Sequence, residues 1–289
     1  MFAGSDQIQV HDEAKGLSFP VLALYPTDVP SAPTAFGPYT FDVSSEAPVA
    51  EGRFPLVVVS HGNGGSHLVY RTIVTHLAKN GYVVAMLEHP GNSRNDNSLE
   101  GTYENLVRRP RHVRFTIDAV SLDTKLGAHV QPDNVAVMGH SMGGYAALAV
   151  AGGIPWSKNG ERVDVVPDPR VRALVLMAPG TAFYFPEDSL RDVTVPILLL
   201  TAEHDPVTPR WQAELLLDRV SDRSQVTWRA VENAGHFSFL SPFPPHMRNP
   251  GFLPSMDPEG FDRERFHETL PGEILGFLDE KLKGSTARL

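Results

Sequence analysis

Short runs of valine, leucine, isoleucine and alanine recur along the chain, separated by longer stretches of helical character. The runs are 55–60 (PLVVVS), 82–88 (YVVAMLE), 135–139 (VAVMG), 171–178 (VRALVLMA), 196–201 (PILLLT) and 226–231 (VTWRAV). Most are almost continuously apolar, the pattern of strands covered on both faces. Between them, 67–80, 111–126, 142–151, 208–220 and 264–283 read as helices. Strand–helix alternation predicts an α/β fold with a mostly parallel central sheet, right-handed crossovers and helices on its flanks. The first fifty residues are rich in Pro and Gly and predict one antiparallel hairpin, from 8–10 and 19–25, followed by a long connection over 26–53. Two stretches interrupt the alternation, 152–170 and 237–262, the second rich in Pro and aromatic residues. Both exceed ordinary connections. They read as excursions close to the functional site, leaving a single domain over 1–289. There is no internal repeat and no low-complexity tract.

Composition narrows the function classes. An apolar content of 42% with 20% charged residues is that of an ordinary globular enzyme. A formal charge of −9 argues against a nucleic-acid partner, which would call for a basic footprint. The densest basic group, Arg108, Arg109, Arg111 and Arg114, reads as a solvated helix start, with an anion-attracting rim as the alternative. The chain has no cysteine, which excludes disulfides, zinc–thiolate sites and thiol nucleophiles. The opening MFAGSDQIQV has neither a basic nor an apolar signal segment, and the longest apolar run, 195–200, is strand-sized. The expectation is therefore a cytoplasmic protein with no membrane association.

The strongest chemical signal is Gly139-His140-Ser141-Met142-Gly143, a G-x-S-x-G motif that follows a strand and opens a helix of small residues. A strand-to-helix turn this sharp strains the central serine and requires flanks almost free of side chain. It holds the Ser141 hydroxyl at a helix N-terminus, where N–H groups and the dipole favour developing negative charge. A second Gly-rich loop, Ser60-His61-Gly62-Asn63-Gly64-Gly65, leaves the PLVVVS strand. In this architecture one oxyanion donor is the N–H of the residue after the nucleophile, here Met142, and the other comes from a loop after an earlier strand, here assigned to Asn63.

The acid and base follow the last two strands. Glu203 and Asp205 both qualify as the acid; Asp205 is favoured because it lies farther past the strand and precedes Pro206. His236 follows Gly235, which gives the backbone freedom to aim the imidazole. The order Ser, acid, His is that of the α/β-hydrolases. Of the twelve histidines, His61 reads as a brace for its Gly-rich loop and His140 as a packing or loop-fixing residue. No H-E-x-x-H or other trusted metal-ligand spacing occurs, so neither metal nor cofactor is expected.

Together, GHSMGG, SHGNGG, TAEHDPV and NAGHFSF resemble the α/β-hydrolase superfamily. Within it the chain is most similar to predicted dienelactone hydrolases and platelet-activating-factor acetylhydrolase-like esterases. FPVLALYP, FGPYTFD, HPGNSRND and DPEGFDRERFHETL extend the likeness over nearly the whole chain. The resemblance implies a sheet of about eight strands with ester hydrolysis at its carboxyl edge. It implies Ser141 as nucleophile, Asp205 as acid, His236 as base, and Asn63 and Met142 as amide donors. One departure stands out: true dienelactone hydrolases use a Cys nucleophile, whereas this chain has Ser141. The acetylhydrolase-like members suggest a small acyl group.

The expected reaction is hydrolysis of a small-molecule carboxylic ester or lactone through an acyl-Ser141 intermediate. Tyr70, Phe183 and Phe237, with Tyr184, Phe185, Phe239 and Trp211, are candidates for an apolar pocket wall, or else ordinary core. The same frame could serve an acyltransferase, amidase or perhydrolase, or a catalytically silent ligand-binding module. The sequence assigns no oligomeric state.

Overall fold

In the computed structural model, which describes residues 1–284, ten strands form one sheet in the order β10-β9-β8-β7-β5-β6-β2-β1-β4-β3. The last five residues of the 1–289 span lie outside the described residues. The sheet is parallel from its β10 edge inward to β6: β5 (Phe54–Ser60), β6 (Val83–Leu87), β7 (Val130–His140), β8 (Val171–Met177), β9 (Ile197–Ala202) and β10 (Val226–Val231). The apolar runs produce this directly. In β5, Val57 and Val59 enter the core on one face while Leu56 and Val58 enter the core on the other. That alternation is the period of two of a strand with no solvent face.

Helices cover both faces. α1 (Arg71–Lys79) sets Ile73, Val74 and Leu77 into the first core, beside Leu270, Ile274 and Leu278 of α5 (Arg263–Leu278). α2 (Tyr103–Leu122), α3 (Met142–Val150) and α4 (Trp211–Arg219) fill the second core through Val113 and Ile117, Ala147 and Leu148, and Ala213 and Leu216.

The amino-terminal hairpin is longer than the sequence pattern predicts: β1 (Phe2–Asp12) pairs with β2 (Leu17–Thr27) over eleven residue pairs, and β2 joins the parallel strands through β6. The expected connection over 26–53 instead contains a second hairpin, β3 (Ala32–Phe36) and β4 (Tyr39–Ser45). It carries the sheet from eight strands to ten. Its alternation, with Tyr39, Phe41 and Val43 inward, is short and lies among Pro and Gly, which is why the sequence pattern hides it. α2 also begins eight residues before the expected start at 111, because Thr102 caps it by accepting from the Asn105 N–H at 3.1 Å and it runs through Pro110.

Topology fixes where a site can form. The chain moves from β5 to β6 on one side, then returns to place β7 on the other side of β5. The carboxyl ends of β5 and β7 therefore flank a topological switch point, where open α/β sheets bind ligands. The loop holding Asn63 leaves β5 and Ser141 follows β7.

Candidate active site

Ser141 has φ 54° and ψ −119°, a backbone conformation that an L-residue adopts only under strain. Two glycines allow the turn. A Cβ on Gly139 would stand 2.2 Å from the Gly143 carbonyl oxygen, and one on Gly143 would stand 1.8 Å from that of Ser60. The turn is pinned by the Ser141 N–H donating to the Met177 carbonyl (3.1 Å) and by Ser141 O accepting from the Gly180 N–H (2.9 Å). Although Ser141 sits at the N-cap of α3, its hydroxyl caps nothing and so is available for chemistry.

His236 Nδ1 donates to Asp205 Oδ2 at 2.8 Å, and both side chains are buried. The carboxylate holds the ring proton on Nδ1 and leaves Nε2 with the lone pair. Asp205 is itself held on three further sides: Oδ1 accepts from the Val207 N–H (2.7 Å) and Thr208 N–H (2.8 Å), and Oδ2 from the Thr208 hydroxyl (2.7 Å). Burial pushes the Asp205 carboxyl up, but the hydrogen bond and charge of His236, with the Thr208 donors, outweigh it and hold the carboxyl below its usual range. Glu203 stands elsewhere, accepting from the Asn233 N–H at 2.8 Å.

His140 secures His236 from behind. Its Nε2 bonds the His236 carbonyl oxygen at 2.9 Å, and the two rings lie 4.9 Å apart. Burial, with the neighbouring His236 second, lowers its pKa to about 3, so it stays neutral and donates that bond. Ser141 and His236 line one cavity, with no hydrogen bond between their side chains among the described residues. In unliganded sites this contact is commonly long and tightens around substrate.

The loop after β5 lies directly over Ser141: a Cβ on Gly62 would stand 3.3 Å from the Ser141 Cβ. The Asn63 side chain is committed at both ends, its oxygen accepting from Asn92 Nδ2 (2.7 Å) and its nitrogen donating to Glu100. Its backbone N–H has no backbone acceptor among the described residues, and the Met142 N–H, at the first position of α3, also has none. Both amides are thus without a backbone partner beside Ser141.

Beneath this loop lies Arg109, fully buried on α2 and not solvated as its basic run suggests. It donates to the His61 carbonyl and to Asn92 Oδ1. No carboxylate pairs with it among the described residues, its Nε has no partner, and burial pulls its pKa down to about 9. His61 Nδ1 bonds the Gly62 carbonyl (2.7 Å) and its Nε2 accepts from the His89 N–H (3.0 Å). Arg109, Asn92 and His61 thus fix the backbone from which Asn63 projects. Sequence reasoning missed Arg109 and Asn92 in this role; the buried face of α2 becomes visible only once its true start at Tyr103 is known. Thr208 was also missed; its signal is a hydroxyl three residues after Asp205, where an Asp side chain caps its own turn.

Two cavities meet at Ser141. One, of about 490 Å³, is walled by Tyr70 and Phe237 with Leu240, Phe243 and Phe252; the other, of about 570 Å³, includes Phe183. Tyr184, Phe185, Phe239 and Trp211 line neither. Ser157, Lys158, Asn159 and Glu161 of one excursion border the second cavity, and Phe237, Leu240, Phe243, Phe252 and Pro254 of the other border the first. Among the described residues, no group of three or more His, Cys, Asp or Glu is arranged to hold a metal ion, and no helix is long and apolar enough to cross a membrane.

Residues 55–193 match the family described as alpha/beta hydrolase fold. The chain superposes on a ferulic acid esterase from Streptomyces cinnamoneus with a TM-score of 0.73, covering 98% of this chain and 90% of that one at 21% identity. It is also 36% identical over 69 residues to a platelet-activating factor acetylhydrolase from Canis lupus familiaris. That match spans 24% of this chain and 14% of the acetylhydrolase.

Proposed function

From the α/β-hydrolase fold, which this chain has, we propose that it is a serine-dependent carboxylic ester hydrolase acting on small-molecule esters or lactones through an acyl-Ser141 intermediate. The observation that carries the reading is the strained Ser141 sharing a cavity wall with His236, whose Nδ1 is held by Asp205. That an acetylhydrolase and an esterase are among the proteins it resembles supports the reaction class.

In the proposed reaction, Ser141 Oγ bonds the ester carbonyl carbon as its proton passes to His236 Nε2. Asp205 keeps the imidazole in the required tautomer and stabilises the imidazolium, remaining ionised itself. The oxyanion is received by the N–H groups of Asn63 and Met142, each expected to contribute about 10²–10³ to turnover. The carbon–alkoxy bond then breaks and His236 returns the proton to the departing oxygen, releasing the alcohol. Water next attacks the acyl carbon, its proton moving through His236 to Ser141 Oγ as the acid departs.

The test is Ser141→Ala. It is expected to abolish p-nitrophenyl acetate hydrolysis while the circular dichroism spectrum and melting temperature stay those of the parent. Hydrolysis at the parent rate by a folded Ser141→Ala protein would overturn the proposal.

A further inference from the structure

We infer that the two cavities meeting at Ser141 divide the ester between them: an apolar alcohol beside His236, and beside Met142 an acyl group bearing a hydroxyl or oxo substituent. The inference rests on the acyl-enzyme reading and adds the substrate class.

The partition follows from which residues each cavity shares. Ser141, Asn63 and Val207 border both, so they form the neck. His236 borders only the first cavity and Met142 only the second. In acyl transfer the base returns the serine proton to the departing oxygen, so that oxygen must leave on the side of His236. The carbonyl oxygen points to the Asn63 and Met142 amides. The remaining substituent of the tetrahedral carbon, the acyl chain, is then directed away from His236 and into the second cavity.

The walls differ in chemistry. The first cavity presents Val69, Tyr70, Leu240, Phe243 and Phe252 around Phe237, a surface that rewards burial of an aromatic or branched alcohol. The second holds Thr102, Asn105, Ser157, Asn159 and Gln212 beside Phe183. Asn105 is decisive among them. It is 3% exposed, lies on the first turn of α2, and its side-chain amide makes no hydrogen bond among the described residues. Gln212 commits its oxygen to the Thr181 and Ala182 N–H groups, and its nitrogen has no partner among the described residues. Neither side-chain amide is sealed off: both residues border the cavity, where a partner comes from water or from a ligand. An oxygen substituent on the acyl chain supplies that partner, and the cavity of about 570 Å³ holds more than an acetyl group.

The experiment exploits the order of the steps: once the alcohol has left, deacylation senses only the acyl cavity. The full-length enzyme is assayed with acetates of methanol, phenol and naphthol, and with phenyl esters of butyric and 3-hydroxybutyric acid. Stopped-flow burst kinetics separate acylation from deacylation. The parent is expected to gain kcat/KM with alcohol size and to favour hydroxybutyrate over butyrate. Asn105→Leu should cut kcat/KM for the hydroxybutyrate about tenfold, with butyrate little changed and the effect independent of the alcohol. Phe252→Ala should reduce the preference for naphthyl over methyl acetate while leaving the deacylation rate of the acetyl-enzyme unaltered. The partition is overturned if Phe252→Ala changes deacylation, if Asn105→Leu changes alcohol preference, or if the parent shows neither preference; the parent measurements decide even if a variant fails to fold. Absence of any acyl-enzyme would instead sink the acyl-Ser141 reading itself.

Discussion

Asp205→Asn tests the proposed base–acid pair most quantitatively, because the surrounding donors dictate how the new amide must sit. Asp205 Oδ1 accepts from the N–H groups of Val207 and Thr208 at 2.7 and 2.8 Å. An asparagine keeps its carbonyl oxygen there, since turning the amide over would point its NH₂ at both donors and leave two buried N–H groups without acceptors. At about 1–3 kcal/mol for each orphaned group, the flipped form lies roughly 2–6 kcal/mol higher. The NH₂ is therefore forced to the Oδ2 position, 2.8 Å from His236 Nδ1 in the parent. There it donates to Nδ1, so the ring carries its proton on Nε2 and has no lone pair to receive the Ser141 proton. Converted at 1.36 kcal/mol per decade, the penalty predicts a fall in kcat of about 30-fold to 10⁴-fold. The assay is p-nitrophenyl acetate turnover at neutral pH, with the melting temperature as a check on folding. Glu203→Gln is the control, and its turnover should stay within about twofold, as expected for a surface change. A folded Asp205→Asn enzyme that loses less than tenfold, or a Glu203→Gln enzyme that loses as much, would refute the reasoning.

Two further outcomes follow from packing and titration. Gly143→Ala places a Cβ 1.8 Å from the Ser60 carbonyl oxygen, so backbone must move at the junction of Ser141 and the loop after β5; purified protein should lose several degrees in melting temperature and at least tenfold in kcat, measured by calorimetry and ester turnover. Acid stability should be limited by buried neutral histidines: burial lowers His61, His112 and His140 to about 3 and His267 to about 4. Their folded pKa values lie below the unfolded value near 6.5, so the unfolded chain takes up protons first and stability falls as pH drops from about 6.5 towards 3–4, by at most about 1.4 kcal/mol per pH unit for each histidine. Urea midpoints should therefore decline steeply between pH 6.5 and 5, and a flat profile there would contradict the assignment.

The parallel frame was legible because its inner strands are buried on both faces: runs such as 55–60 and 83–87 carry no solvent face to dilute the signal. The β3–β4 hairpin was not, since its inward residues Tyr39, Phe41 and Val43 make only a short alternation, with Gly37 and Pro38 at its turn. Arg109 looked like a surface charge because nearby arginines do pair outward, Arg108 with Glu104 and Arg111 with Asp12. Only the three-dimensional path of α2 shows that position 109 faces the loop after β5. Of the candidate site, the G-x-S-x-G turn is readable from spacing because steric exclusion at 139 and 143 is local. The choice between Glu203 and Asp205 is not local. Both follow β9, and what separates them is where the loop after β10 delivers His236. Asn92 is of the same kind, a polar side chain whose partners Asn63 and Arg109 lie on other elements.

The proposed reaction turns on a covalent bond to one hydroxyl, and fluorophosphonate labelling reads it directly. Folded parent protein is treated with the reagent and the modified peptide is identified by mass spectrometry. The expected result is a single phosphonate on Ser141, formed as esterase activity disappears, absent from Ser141→Ala and slowed in Asp205→Asn. Label on another residue, or undiminished ester turnover by protein fully labelled at Ser141, would contradict it.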